Sequence, residues 1–465
     1  MTLAMLPILC ALAGAGAGPR SAVNFSHLDR LLERISLGGD SVTIVHIYAN
    51  YPDYRWAAAA ESGPEGIACV DDAARAAVML MRSYELTGDT ASLARSRGLL
   101  GFVMHMQAPD GEFYNFIRAD HTINTTGRTS LKSFGWWASR GLWAMATGGR
   151  VFADRDTAFA GDLTRRVARM MRLVAASLKE YGTTKTVAGC RIPRWLLFES
   201  GADVTSELLL GLLEYRRISP GDSLSRFIEE LARGLLVMQD GDGTTAPYGL
   251  HRSWETQWHM WGNGQTQALA AAGPVLHDSA LVASAVREAR GWYGRLLMDG
   301  FLREWDIAGA APREEFDQIA YGVRPMAVGL LRLFEATGDT EYLVMAGLAA
   351  SWLTGNNPAG RPVYDPRTGR CFDGIRDSLT LNLNSGAEST IEALYTLVEV
   401  ERYPPAAAFL HSRKVSAGRT ERYSWALFRA PPGTEVILAR ESATGVLSVY
   451  EGDRSRAFRR KEKIP

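Results

Sequence analysis

Six stretches of this 465-residue chain begin polar, turn apolar on every side and end in a turn, and they recur 58 to 66 residues apart. They are DDAARAAVMLMRSYEL from Asp71, WASRGLWAMAT from Trp137, DVTSELLLGLLEY from Asp203, NGQTQALAAAG from Asn263, YGVRPMAVGLLRLFE from Tyr321 and GAESTIEALYTLVE from Gly386. A helix that is apolar all round must be buried all round, whereas a surface helix shows a single apolar stripe. The intervening segments are of this second kind. In LSRFIEELARGLLVM, residues 224–238, Leu224, Phe227, Ile228, Leu231, Leu235 and Met238 share one stripe, and Arg226, Glu229, Glu230 and Arg233 oppose it. Buried helices alternating with half-exposed ones, six pairs in all, predict an all-α architecture with an inner ring of helices wrapped by an outer ring.

An internal repeat supports the hairpin unit. RSYELTGDT at 82–90 returns as RLFEATGDT at 332–340. Gly88 and Gly338 suit the left-handed residue that ends a helix, and Asp89 and Asp339 suit the cap that starts the next. Only five outer segments lie between six inner ones, so the amphipathic FSHLDRLLERI at 25–35 is assigned the sixth outer slot. Pro325 stands near the start of its run, where a helix tolerates it. The end of the chain differs in kind. RYSWALFR, TEVILARE and GVLSVYEG are short β-rich runs split by PPG and SATG and followed by a basic tail, so residues 413–465 read as a small β-rich appendage to a toroid over 24–412.

Composition excludes several partner classes. Lys plus Arg equals Asp plus Glu at 51 each, so no single-sign field draws nucleic acid or an anionic membrane. Residues 1–20 have an apolar core followed by small residues, which reads as an export signal and predicts a secreted or periplasmic protein. No later run is long enough to span a bilayer. Behind the leader stand Cys69, Cys190 and Cys371, an odd set without C-x-x-C spacing, which offers neither a disulfide framework nor a metal signature. Closure of a ring would bring Cys69 and Cys371 to the same side, within bonding range if the protein is exported, and leave Cys190 free.

Six helical hairpins in a toroid resemble the six-hairpin glycosidase superfamily, the (α/α)6 barrels that include glucoamylase-like, cellulase-like and unsaturated-uronyl hydrolases. CVDDAARA at 69–76, with NPAGRPVYDPRTGRCFDGI and NLNSGAESTIEAL between 357 and 394, is similar to a bacterial group of toroid domains often encoded with carbohydrate-processing enzymes. The resemblance covers residues 25–400 and implies the toroid and a carbohydrate substrate. It brings no catalytic signature of a particular glycosidase family. A terpene-cyclase toroid would carry a D-x-D-D-T-A run, and Cys69 stands where its first aspartate should be.

In such a toroid the inner helices run in one direction, so their first turns and the preceding loops line one pocket. Asp71 and Asp72 point about 100° apart on a helix. Either Asp71 caps the helix while Asp72 pairs with Arg75, or one of them projects into the pocket as an acid or base. Glu388 follows Ser385 at capping-box spacing. Asp203 and Glu207 share a face, with Glu199 just before them, and close carboxylates raise one another's pKa, as a general acid requires. Asp317, Tyr321 and Arg324 are spaced to share a helix face. HRSWETQWHMWGNGQ places Trp254, Trp258, Trp261, His259 and Asn263 before the fourth inner helix, and three tryptophans beside polar groups suggest a platform for sugar rings, with Trp136 and Trp137 as a second. His259 has no second histidine at ligand spacing, so no metal is expected, nor any cofactor.

These readings predict a glycoside hydrolase in which Asp72 or Asp71 works with Asp317, Glu199 or Asp203. A lyase or epimerase using Tyr321 with Arg324 and a sugar-binding protein without catalysis are the alternatives.

Overall fold

The computed structural model describes residues 21–61, 63–309 and 313–464, so the leader read over residues 1–20 lies outside them. Each of the six apolar runs is a helix: α2 (Val70–Thr87), α4 (Trp136–Val151), α6 (Ala202–Ile218), α8 (Gln265–Leu276), α11 (Val323–Thr337) and α13 (Ala387–Glu401). Each packs against the next and α13 packs back against α2, so the inner ring is closed. Outside it run α3 (Thr90–His105), α5 (Thr157–Ser177), α7 (Asp222–Val237), α9 (Ser279–Glu288) continued through a π-turn into α10 (Gly294–Asp299), and α12 (Glu341–Ala350). On α7 the anticipated stripe is buried and Arg226 and Glu229 are exposed. This is the (α/α)6 toroid.

Local chemistry explains the hairpin joints. Gly88 and Gly338 both adopt φ 74°, a left-handed conformation that glycine accepts without a Cβ penalty. Asp89 then caps α3 by accepting from the amides of Ala91 and Ser92 at 3.0 and 3.1 Å. Asp339 accepts from the Glu341 amide at 3.0 Å, although Thr340 occupies the cap position itself.

The sixth outer position departs from the sequence reading. Helix α1 covers only Ser26–Leu31, and the chain then enters a two-stranded hairpin, Leu32–Leu37 paired with Asp40–Val45. Gly38 and Gly39, with φ 59° and 93°, form its two-residue turn, and glycine pairs of this kind close hairpins whose strands twist correctly. Beyond Leu31 the burial alternates: Ile35 and Leu37, then Val42 and Ile44, face the core, and this two-residue period overrides the helical one. The hairpin lies on α3, where a Cβ at Gly98 would sit 2.2 Å from the Thr43 hydroxyl.

The C-terminal appendage is a four-stranded antiparallel meander, Arg413–Arg419, Tyr423–Ala430, Thr434–Glu441 and Leu447–Glu451. The basic tail is not a tail but a helix, labelled α15 after the one-turn α14 (Pro404–Ala407); α15 spans Asp453–Glu462. Alternate residues divide the sheet's faces. Trp425, Leu427 and Ile437 form a small core with Phe458 of α15, while Ala426, Phe428, Val436 and Leu438 belong to the core of the toroid. Among the described residues no helix is long and apolar enough to cross a membrane. Cys69, Cys190 and Cys371 are all free thiols, so the contemplated bond between Cys69 and Cys371 is not formed.

Towards the C-terminal ends of the inner helices, Glu399 of α13 accepts from Arg82 of α2 at 2.7 Å and from Arg332 of α11 at 2.6 Å. Burial alone would raise its carboxyl, but Arg332 and Arg82 outweigh burial and hold it down to about 2. Its folded pKa therefore lies below the ordinary 4.5, so the stabilisation is complete above that value and is lost as pH falls from 4.5 towards 2. We expect Glu399→Gln to cost on the order of 3 kcal/mol at neutral pH and to flatten the loss of stability in this acid window, measured by urea unfolding across pH.

Candidate active site

The inner helices open at one end, and their charged residues meet there. The two aspartates part company: neither caps α2, whose cap position is held by Cys69 without a side-chain capping bond. Asp72 is enclosed, its side chain 4% exposed; it accepts from Arg75 Nη2 at 2.6 Å and from the Cys69 thiol at 3.3 Å. Asp71 turns the other way, 17% exposed, and accepts from Arg140 Nη1 on α4 at 2.8 Å and from Asn115 at 3.2 Å.

Arg75 also reaches α13. Its Nη1 donates to Glu392 at 3.0 Å and its Nη2 to Glu388 at 3.2 Å. Glu392 in turn accepts from Arg324 of α11 at 2.5 Å, and Arg324 donates onward to Glu207 of α6 at 3.0 Å and Gln267 of α8 at 3.3 Å. A continuous chain, Asp72–Arg75–Glu392–Arg324–Glu207, thus crosses the axis of the ring. Arg140 completes the connection from α4, donating to the Tyr321 hydroxyl while its guanidinium lies 4.7 Å from the Trp136 ring.

Glu388 stands apart from this buried chain. It lies one turn before Glu392, and 46% of its side chain remains open to solvent although protein rings it on the other sides. That enclosure raises its carboxyl to about 6; Asp72 and Glu392 add to the rise, and Arg75 and Arg140 limit it. The capping box with Ser385 does not form. The Ser385 hydroxyl donates to the Cys371 carbonyl instead, and Asp373 takes over the cap by accepting from the Gly386 amide at 2.9 Å and the Ser389 hydroxyl at 2.6 Å.

The remaining candidates separate. Asp203 is buried and, rather than capping α6, accepts from its neighbour's amide at Val204 and from His259 Nε2 at 3.0 Å. The Ala202 and Asp203 amides at the start of α6 donate to the Ser253 carbonyl at 2.9 and 3.2 Å, which ties two loops together. Asn263 accepts from the Ser253 hydroxyl at 2.8 Å, and Trp261 stacks on His259 with centroids 4.2 Å apart. The three tryptophans do not form one platform. Trp258 is buried edge-on against Trp292, Trp254 is exposed, and only Trp261 accompanies His259. Trp136 lies beside Gly262 and Tyr321, and Trp137 donates to the Phe113 carbonyl at 2.7 Å.

Asp317, Tyr321 and Arg324 do not share a face either. Gln318–Ile319 is extended and paired with Gly374–Ile375, so helical spacing begins only after it; Asp317 is exposed, whereas Tyr321 and Arg324 are buried. Glu199 is exposed on the rim, paired with Lys185. The sequence reading passed over Arg140 and Glu392 and took Glu388 for a capping residue. A usable signal was present, since a lone charge inside an all-apolar helix must find a partner across the ring. Among the described residues no group of His, Cys, Asp and Glu is arranged to hold a metal ion.

Six inner helices wrapped by outer segments form an (α/α)6 toroid, the fold that the resemblance implied. No family model matches the sequence, and no curated protein is similar to it. Solved structures are similar in fold. Cellobiose 2-epimerase from Bacillus thermoamylovorans superposes with a TM-score of 0.55 at 10% identity over 77% of this chain and 92% of that one. A sugar epimerase from a ruminal bacterium gives 0.54 at 10% over 77% and 92%, and D-mannose isomerase gives 0.51 at 9% over 76% and 90%.

The two aspartates should separate in stability. Asp72→Asn removes the charge facing a buried guanidinium and is expected to cost roughly 1–3 kcal/mol. Asp71→Asn keeps an acceptor for Arg140 at a partly open position and should cost less than about 1 kcal/mol. Urea unfolding of both variants measures the difference, and equal losses would contradict this assignment of partners.

Proposed function

We propose that this protein is a carbohydrate-active enzyme that hydrolyses a glycosidic bond, with Glu388 as the acid and Asp71 as the second carboxylate. The observation that carries this reading is Glu388 itself, a carboxyl open to solvent on one side, raised to about 6, and placed on the helix next to the one that bears Asp71. Two carboxylates in unlike surroundings are what such chemistry needs. Glu388, protonated, donates to the leaving oxygen as the bond to the anomeric carbon breaks. Asp71, ion-paired with Arg140, activates a water or attacks the sugar from the other side. Of the other pairings, Asp72 is closed off by Arg75 and Cys69, while Glu199 and Asp317 stand away from the ring of charges. Export through the leader at residues 1–20 belongs to the same proposal and places the substrate outside the cytoplasm.

A second reading, epimerisation or isomerisation, is favoured by the names of the fold neighbours, a cellobiose 2-epimerase and a D-mannose isomerase. It would draw on His259, whose Nε2 is held by Asp203. Tyr321 with Arg324 is poorly suited to it, because Arg324 is fully engaged by Glu392 and Glu207 and the Tyr321 hydroxyl by Arg140.

Incubation with a panel of glycans distinguishes these readings: hydrolysis releases new reducing ends, epimerisation changes a sugar without cleavage, and a lyase leaves a product that absorbs in the near ultraviolet. For hydrolysis, kcat/KM should fall about tenfold per pH unit above about 6, as Glu388 loses its proton. Glu388→Gln should lower turnover by about 10² to 10⁴ and abolish this alkaline limb. Aryl glycosides with acidic phenol leaving groups should recover much of the loss, since they need no proton. An unchanged pH profile in Glu388→Gln would remove this residue from the chemistry.

A further inference from the structure

The loops that lead into α6 and α8 carry two aromatic rings that the chemistry above does not use. Phe198 and Trp254 are 55% and 54% exposed, each on the loop that precedes an inner helix. Single exposed apolar side chains are common, but these two rings belong to turns that are tied to each other.

The backbone beneath both rings is unusual. Phe198 and Glu199 adopt φ of 57° and 58°, and Glu255, next to Trp254, adopts 46°. All three are non-glycine residues in the left-handed region, a conformation that costs free energy and persists where the surroundings impose it, often at functional sites. The two turns are also tied together. Lys185, on the hairpin Thr184–Val187 with Cys190–Pro193, places its Nζ 3.4 Å from Glu199 and 3.6 Å from Glu255. The Ser253 carbonyl binds the first amides of α6 from the other side.

The rings also continue towards the pocket. The edge of Phe198 lies over Gly135, where a Cβ would be 2.3 Å from the ring, and Gly135 is the residue before Trp136. Trp136 in turn lies against Arg140, which holds Asp71. Phe198 is therefore linked, through the backbone at Gly135 and the Trp136–Arg140 contact, to the candidate carboxylate Asp71.

We infer that Phe198 and Trp254 form an outer subsite on which further sugar units of a glycan chain stack, so that the enzyme prefers a chain several units long over a disaccharide. The occupant follows from the chemistry: a pyranose presents a face of C–H groups that packs on an aromatic ring, and its hydroxyls can reach the Glu199, Glu255 and Lys185 charges beside the rings. This inference rests on the reading of the pocket as a carbohydrate site.

The test uses the full chain carrying Glu388→Gln, so that bound glycans are not cleaved, and gluco-, manno- and xylo-oligosaccharides of two to six units in α and β linkage. Binding is followed by intrinsic tryptophan fluorescence and by calorimetry. Affinity should rise with chain length, and the gain between two and six units should shrink by about tenfold in Trp254→Ala and again in Phe198→Ala. Both side chains are on the surface, so an unchanged melting temperature verifies that the fold is intact. Length-dependent binding that survives both substitutions overturns the outer subsite and leaves the pocket reading standing. Binding that does not rise with length has the same consequence. Failure of every glycan to bind overturns both, and self-association abolished by Trp254→Ala would identify the rim as a contact between copies instead.

Discussion

The chain of charges from Arg75 through Glu392 and Arg324 to Glu207 is the interaction on which the rest depends. It joins α2, α13, α11 and α6 across the axis of the ring, with Gln267 of α8 attached to Arg324. An apolar core would hold six helices together without fixing how far each slides along its neighbours. Buried guanidinium–carboxylate pairs do fix it, because a shift of one turn leaves a charge without a partner, at a cost of about 3–5 kcal/mol. The Arg82–Glu399–Arg332 group repeats the device seven residues farther along α2 and α13, roughly 10 Å away. On α2 the residues between the two, Ala76 to Met81, are all apolar and buried, so the axis is pinned at two levels with packing between them.

The candidate chemistry is an extension of the upper level. Glu388 and Glu392 are one turn apart on α13, and Arg75 holds both. The same guanidinium that joins two helices therefore holds the Glu388 carboxyl and limits how far its pKa rises. Arg140 plays the matching part for Asp71, with Tyr321 as its other partner. The candidate site and the packing of the ring share these guanidinium groups.

The fold was legible because its signals are local and repeated. Apolar runs at a fixed spacing, the glycine that ends α2 and its copy at the end of α11, and the aspartate that follows each are properties of neighbouring residues. The hairpin at 32–45 was misread because Leu28, Leu31 and Ile35 also satisfy a helical period, and only Gly38–Gly39 with the alternation beyond it decides for strands. The site was less legible. Asp71 and Asp72 stood as alternatives in the sequence, and Arg140, whose ion pair distinguishes Asp71, is 69 residues away from it. The spacing of Ser385 and Glu388 satisfies a local motif that loses to long-range partners, Arg75 for the glutamate and the Cys371 carbonyl for the serine. Trp258 shows the same limit: sequence places it among polar residues at a pocket mouth, and only tertiary packing sends it inward against Trp292.

The alternating faces of the C-terminal sheet decide what sort of object the whole chain is. Phe428, Val436 and Leu438 are part of the same apolar core as the ring helices, and Leu447 fills the space left by the missing side chain of Gly294 on α10. Although its strands pair only with one another, the sheet cannot leave without uncovering this seam on both sides. Toroid and sheet are therefore expected to melt as one cooperative unit, and a chain cut at the apparent boundary near residue 412 would present its apolar seam to other molecules.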